Sequence, residues 1–148
     1  MKILVMGSGG VGGYFGARLA LGGADVTFVA RGAHLAAMRA QGLTLETPAG
    51  PVHAANINVV ERATEAAPPD FVLLAVKLWD TDGALDQIRP IVGPHTTVIS
   101  LQNGVLKEDQ LAQAFAREQL MGGVVYVATR IARPGVIQQT GPMQRMQF

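Results

Sequence analysis

The 148-residue sequence contains no cysteine. That excludes a disulfide framework, thiol catalysis and cysteine-ligated metal. Charge is also scarce. Asp, Glu, Lys and Arg make up 16% of the chain, against about 25% in an average domain. The net charge is only +1 and the charged residues are scattered. No basic stripe is available for nucleic acid or an anionic membrane. Serine occurs only as Ser8 and Ser100, and neither has the G-x-S-x-G setting of a hydrolase nucleophile. His34, His53 and His95 stand far apart with no carboxylate pattern, so no metal site is expected. Long apolar runs are missing as well. The run at the start ends at Gly7, too short for a secretory signal. The longest run, Phe71 to Val76, has strand length, far below the ~18 residues of a membrane helix. A cytoplasmic location is the default expectation.

What is abundant is apolar character and glycine. The chain is 49% hydrophobic, which excludes an intrinsically disordered protein. The length is that of one domain with a core of its own. Aromatic residues are only 5%. So apolar a chain is expected to have surface that meets something else. Eight of the 18 glycines fall between Gly7 and Gly23.

The flanks of that cluster explain it. Ile3-Leu4-Val5-Met6 reads as a strand buried on both faces. Val11, Tyr14, Phe15, Arg18, Leu19 and Leu21 follow a helical spacing, ended by Gly22-Gly23. Ala24 to Ala30 reads as a second strand and Ala33 to Gln41 as a helix. Leu43 to Thr47 alternates as a strand, Pro48 to Pro51 is a turn, and Val52 to Val60 is extended. This stretch reads as a hairpin-like excursion. Phe71 to Val76 is a buried strand. A helix capped by Asp80 then runs to about Val92; Trp79 packs where the preceding loop meets it, the alternative being that it lines a ligand crevice there. Thr97 to Leu101 is a strand, Lys107 to Arg117 a helix, Met121 to Ala128 a strand, and Gly135 to Phe148 is hairpin-like. Strands alternating with helices predict an α/β fold, a Rossmann-type doubly wound, mostly parallel sheet with helices on both faces. One domain over residues 1–148 is expected, without a linker.

Gly7-Ser8-Gly9-Gly10-Val11-Gly12 fits G-x-G-x-x-G between a strand and a helix, the context that gives this motif meaning. Gly7 permits the tight turn, Gly9 lets a pyrophosphate touch the backbone, and Gly12 lets the helix approach the sheet. N–H groups near Gly10 and Val11 would face the phosphates. An NAD site has Asp or Glu about 20 residues further on. Here Arg31 stands 19 residues after Gly12, at the end of the second strand. A guanidinium binds a ribose 2′-phosphate bidentately, so NADP(H) is the expected cofactor. Lys77 and Asn103 each follow a buried strand, and so are placed at the same sheet edge. They could serve a nicotinamide ribose and a keto acid; they could equally be a solvated loop lysine and an Asn-Gly turn.

Gly7 to Gly16, Ala30-Arg31-Gly32, Ala75-Val76-Lys77, Leu101 to Gly104 and the tail Arg133 to Pro142 together resemble the ketopantoate reductase family. The resemblance implies reduction of 2-dehydropantoate to pantoate with NADPH, on the route to pantothenate. It implies that Gly7, Ser8, Gly9, Gly10, Val11 and Gly12 hold the pyrophosphate and Arg31 the 2′-phosphate. Lys77 would sit at the cofactor and Asn103 would touch both cofactor and substrate. Ala128 would contact the cofactor through its backbone. It further implies a helical domain beyond Phe148 that supplies the general-acid lysine. No catalytic residue is therefore assigned within the chain, and these 148 residues alone are expected to be inactive. The expected partner is a small 2-keto acid, with homo-oligomer formation left open. The alternatives are a non-catalytic NADP-binding sensor, or a related dehydrogenase acting on a different 2-keto acid.

Overall fold

The structure, a computed structural model, describes residues 1–104 and 107–148. Strand β1 (Lys2–Met6) leads through the glycine turn into helix α1 (Gly10–Leu21). Strand β2 (Asp25–Val29) and helix α2 (Gly32–Gln41) follow, then β3 (Leu43–Thr47), β4 (Gly50–Ala54) and β5 (Asn58–Val60). Strand β6 (Phe71–Leu74) precedes a 3-10 turn at Leu78–Asp80 and helix α3 (Thr81–Ile88). The chain continues with β7 (Thr97–Ser100), α4 (Lys107–Ala112), β8 (Leu120–Gly122), β9 (Val124–Arg133) and β10 (Val136–Gln147).

Six strands form a wholly parallel sheet in the order β5-β2-β1-β6-β7-β8. The order reverses between β1 and β6, so the chain emerging from β1 and that from β6 diverge and leave a crevice. The alternation of β1 divides the core. Ile3 and Val5 face α1 and α2, packed with Phe15, Phe28 and Met38. Leu4 and Met6 face α3 and α4, packed with Val72, Leu85, Ile88 and Leu111. Full burial of each such side chain contributes about 1.5–3 kcal/mol. The strand is near-continuously apolar because both of its faces are covered.

The remaining strands correct the expectation of one sheet. β4-β3-β10-β9 form a second, four-stranded sheet, with β3–β4 and β9–β10 antiparallel and β3–β10 parallel. Residues 43–54 are the expected hairpin, but Val52 to Val60 is not one extended run. Its last part, β5, returns to the main sheet beside β2. Met121 to Ala128 is likewise split. β8 completes the main sheet and β9 begins the second one. Gly123 marks the break, where a Cβ would meet the Ser100 carbonyl and the Leu101 side chain at 2.9 Å.

Helix α1 lies between the two sheets. Gly12 and Gly16 face Val5 and Phe28 of the main sheet, whereas Gly10 and Gly13 face Thr129 and Ile137 of the second. The Tyr14 hydroxyl donates to Gln144 Oε1 at 2.9 Å and ties the helix to β10. Helix α3 ends at Ile88, short of Val92, because Pro90 has no N–H to continue it. Its cap also differs from expectation. Asp80 makes no side-chain capping bond, and Thr81 Oγ1 donates to the Leu78 carbonyl at 2.7 Å instead. Helix α4 stops at Ala112 rather than Arg117. Trp79 is not packed but is 82% exposed.

Candidate functional site

The crevice at the carboxyl ends of β1, β2, β6 and β7 is a cleft of about 330 Å³. Gly7, Ser8, Gly9, Gly10, Val11, Arg31, Lys77 and Asn103 all line it. A second cleft of about 330 Å³ lies at the opposite end of the strands, around Lys2, Asp25 and Asn58. Ligands of open α/β sheets bind beyond the carboxyl ends, at the switch point, so the first cleft is the candidate site. It continues past Arg31 and Asp80 into a smaller recess of about 210 Å³ that includes Trp79, Glu61 and Gln87.

The glycine turn forms the floor. Gly7 has φ +99° and a Cβ there would strike Val76, so both the backbone angle and the space demand glycine. The first helical bond of α1 runs from Gly13 N–H to the Gly9 carbonyl at 2.8 Å. The N–H groups of Gly10, Val11 and Gly12 precede it and have no helical acceptor. The first turn of α1 carries no acidic residue, so nothing within it offsets the positive end of the helix dipole. Gly9 has an ordinary φ of −74°, and a Cβ built on it meets no protein atom within 4 Å. Neither backbone strain nor protein packing requires glycine at this position; the room in front of it does, if a ligand approaches there. Gly12 does not line the cleft. It sits behind it, where a Cβ would run into the Gly7 carbonyl and come within 2.9 Å of Ala75 Cβ.

Ser8 lines the cleft. Its side chain is buried, its hydroxyl donates to the Val29 carbonyl at 2.8 Å, and its N–H donates to the same oxygen at 3.2 Å. The side chain therefore holds the turn to β2 rather than reaching toward a ligand. Arg31 precedes α2 with an exposed side chain, and its Nη2 lies 4.0 Å from Asp80 Oδ1. The pair is open to water and weak. Lys77 follows β6 and is exposed; its carbonyl accepts from Asp80 N–H at 2.9 Å and fixes the 3-10 turn. Asn103 is exposed at the end of β7. The wall opposite comes from β9. Thr129 and Ile131 line the cleft, and Ala128 does not; its carbonyl instead accepts from Thr140 Oγ1 at 3.4 Å. Thr129 Oγ1 is buried and has no hydrogen-bond partner among the described residues.

Besides Thr129 and Ile131, two more contributors escaped sequence reasoning. Gln102 is buried and its Nε2 donates to the Val76 carbonyl at 3.1 Å and to Thr81 Oγ1 at 2.8 Å. It clamps the end of β7, and hence Asn103, to the loop carrying Lys77. His34, half-buried in the first turn of α2, lines the cleft. Gly135 N–H donates to its Nδ1 at 3.0 Å, and its Nε2 lies 2.9 Å from the Ser8 carbonyl oxygen. A carbonyl only accepts, so Nε2 carries the hydrogen and the ring is neutral. Burial pushes the His34 pKa below its ordinary value, opposed by the bond to Ser8. No sequence pattern marks either residue, because these partners lie on other elements distant in sequence. Among the described residues no cluster of His, Asp or Glu is arranged to hold a metal ion, and no helix is long and apolar enough to cross a membrane.

Strand order, switch point and glycine turn define a Rossmann-type α/β domain. Comparison with known proteins narrows this. The profile described as ketopantoate reductase PanE/ApbA matches residues 3–148, and the chain belongs to that family. It is 38% identical to a 2-dehydropantoate 2-reductase of Mesorhizobium japonicum, over 93% of this chain and 48% of the relative. It is 34% identical to one of Pyrococcus horikoshii, over 95% and 45%. The crystal structure of 2-dehydropantoate 2-reductase from Porphyromonas gingivalis superposes with a TM-score of 0.90 at 35% identity, covering 99% of this chain and 53% of that one. The chain spans about half the length of the curated relatives it matches.

Proposed function

We propose that this chain forms the NADPH-binding half of a cytoplasmic 2-dehydropantoate 2-reductase. The observation that carries the reading is the cleft floor. The amides of Gly10 and Val11, with no acceptor among the described residues, and the open space before Gly9 stand at the switch point of a chain that belongs to this family. A pyrophosphate fits that arrangement in charge and in shape. Arg31, at the end of β2 and exposed, supports NADP over NAD, since a guanidinium matches a 2′-phosphate. The bound cofactor would supply a hydride for the keto carbon of a small 2-keto acid. The chain's own residues would bind and orient. The amides of α1 take the phosphates, Lys77 and Asn103 hold the cofactor's ribose and the edge of the substrate, and Thr129 and Ile131 close one side against water. The general acid that protonates the forming alkoxide is assigned to none of these residues.

The test is nucleotide titration of the full-length protein, followed by NADPH oxidation with 2-dehydropantoate. NADPH binding in preference to NADH, with turnover of that keto acid, is expected. Binding without turnover would favour the sensor alternative. Turnover of another 2-keto acid alone would move the substrate assignment.

A further inference from the structure

Nothing in the proposed function gives His34 a role, yet it joins three elements at the cleft. It belongs to α2, and its two ring nitrogens reach the glycine turn and the β9–β10 turn. Its partner on the glycine turn is the Ser8 carbonyl, which shares a planar peptide unit with the Gly9 N–H. In a trans peptide these two groups point in opposite directions, and no peptide bond among the described residues is cis. Whatever holds the Ser8 oxygen therefore also aims the Gly9 N–H. Gly9 lies ahead of the first helical bond, and its N–H donates to no acceptor among the described residues.

We propose that His34 is a positioning residue for nucleotide phosphates: its Nε2–H holds the Ser8 carbonyl and thereby presents the Gly9 N–H, beside those of Gly10 and Val11, as a preset donor. The Nδ1 bond from Gly135 fixes the ring so that Nε2 faces Ser8. It also keys the turn between β9 and β10 to the glycine turn, setting the wall that bears Thr129 and Ile131 against the floor. The proposal rests on the dinucleotide reading of the cleft. Preset donors act on a phosphate without reorganisation at the moment of binding, and that advantage is lost when the peptide is free to rotate.

The test compares wild type, His34→Ala, His34→Gln and His34→Asn in the full-length protein, titrated with NADPH and with NADH, with thermal midpoints recorded alongside. Loss of one oriented donor weakens binding by about tenfold. His34→Ala is expected to lose that factor for both nucleotides, leaving their ratio unchanged, because both carry the pyrophosphate. Gln places an N–H near the Nε2 position and is expected to restore binding. Asn supplies an acceptor for Gly135 but no donor that reaches Ser8, and is expected to remain weak even where its thermal midpoint matches wild type. Unchanged affinity in His34→Ala, or rescue by Asn and not by Gln, overturns the proposal. Should the alanine variant fail to fold, the Gln and Asn pair decides. A wild-type protein that binds neither nucleotide overturns the dinucleotide reading itself.

Discussion

Gly9 and Gly12 belong to one motif but are glycine for different reasons, and replacing each by alanine separates them. At Gly9 the backbone angle suits any residue and the added methyl meets no protein atom within 4 Å. Gly9→Ala is therefore expected to stabilise the fold by about 0.4–1 kcal/mol, through the smaller entropy of the unfolded chain. The methyl would stand before the free amides of α1 and hold a phosphate away. A hydrogen bond to a charged group contributes about 1.5–3 kcal/mol, so losing one weakens nucleotide binding by about 10- to 100-fold. At Gly12 the methyl would collide with the Gly7 carbonyl and press on Ala75 Cβ at 2.9 Å and Val5 Cγ1 at 3.0 Å. Backbone and core atoms cannot rotate aside, so α1 must lift from the sheet at a cost of about 1–3 kcal/mol or more. Urea denaturation reads the stability of both variants, and fluorescence titration with NADPH reads the affinity. The expected pattern is opposite in sign: Gly9→Ala is stable and binds weakly, Gly12→Ala is destabilised. Wild-type affinity in Gly9→Ala would refute the assignment of the empty space to a phosphate. A loss of stability in Gly9→Ala comparable to that of Gly12→Ala would refute the geometry of the turn.

Arg31→Ala is expected to lower the NADPH-to-NADH affinity ratio by about tenfold or more, with NADH binding little changed; an unchanged ratio removes the 2′-phosphate assignment. Ser8→Ala is expected to cost about 1 kcal/mol of stability through its lost bond to Val29, with NADPH affinity intact, as measured by denaturation and titration side by side. His34 also makes stability pH-dependent. Its folded pKa lies below the ordinary value of 6.5, so the neutral ring's contribution is complete above that value. As pH falls below it, the unfolded chain takes the proton first, and stability declines until the folded ring is protonated too. Urea midpoints measured between about pH 7 and about pH 5 should fall less in His34→Gln than in wild type; equal slopes would show that His34 does not titrate with folding.

The parallel sheet was legible because burial on both faces leaves continuous apolar runs. β1, β2, β6 and β7 coincide with Ile3–Met6, Ala24–Ala30, Phe71–Val76 and Thr97–Leu101 to within two residues at either end. The second sheet was not legible as such. Its strands are shorter in apolar pattern, and β9 keeps one side in solvent, with Val124 and Tyr126 exposed. Chain position also misled: β8 and β9 are separated by a single residue yet belong to different sheets. Helix α1 defied a single-stripe reading, since residues 12–17 are all buried while Leu21 is exposed. Within the site, the motif residues and Arg31, Lys77 and Asn103 were legible because strand ends converge by topology. Thr129 and Ile131 were not, since nothing in the sequence says that β9 crosses over the glycine turn. Trp79 was misplaced for a similar reason: its size argues for the core, but the 3-10 turn carries it to the rim of the recess beside Asp80.

The glycine density that drew attention to the turn has a cause wider than the phosphate motif. A helix packed on one sheet needs small residues on one side only. α1 needs them on two, because Gly12 and Gly16 admit the main sheet and Gly10 and Gly13 admit the second. At Gly10 a Cβ would approach the Thr129 carbonyl to 2.7 Å, so the contact that demands this glycine is also the contact that places β9 beside the amides. A larger residue there would not fill the phosphate space; it would push the wall away from the floor. Close approach of two sheets through one helix is thus what narrows an open crevice into a cleft with Thr129 and Ile131 on one side and Arg31 and Lys77 on the other. The motif G-x-G-x-x-G specifies the floor of that cleft, and the additional glycines, Gly10 and Gly13, specify its wall.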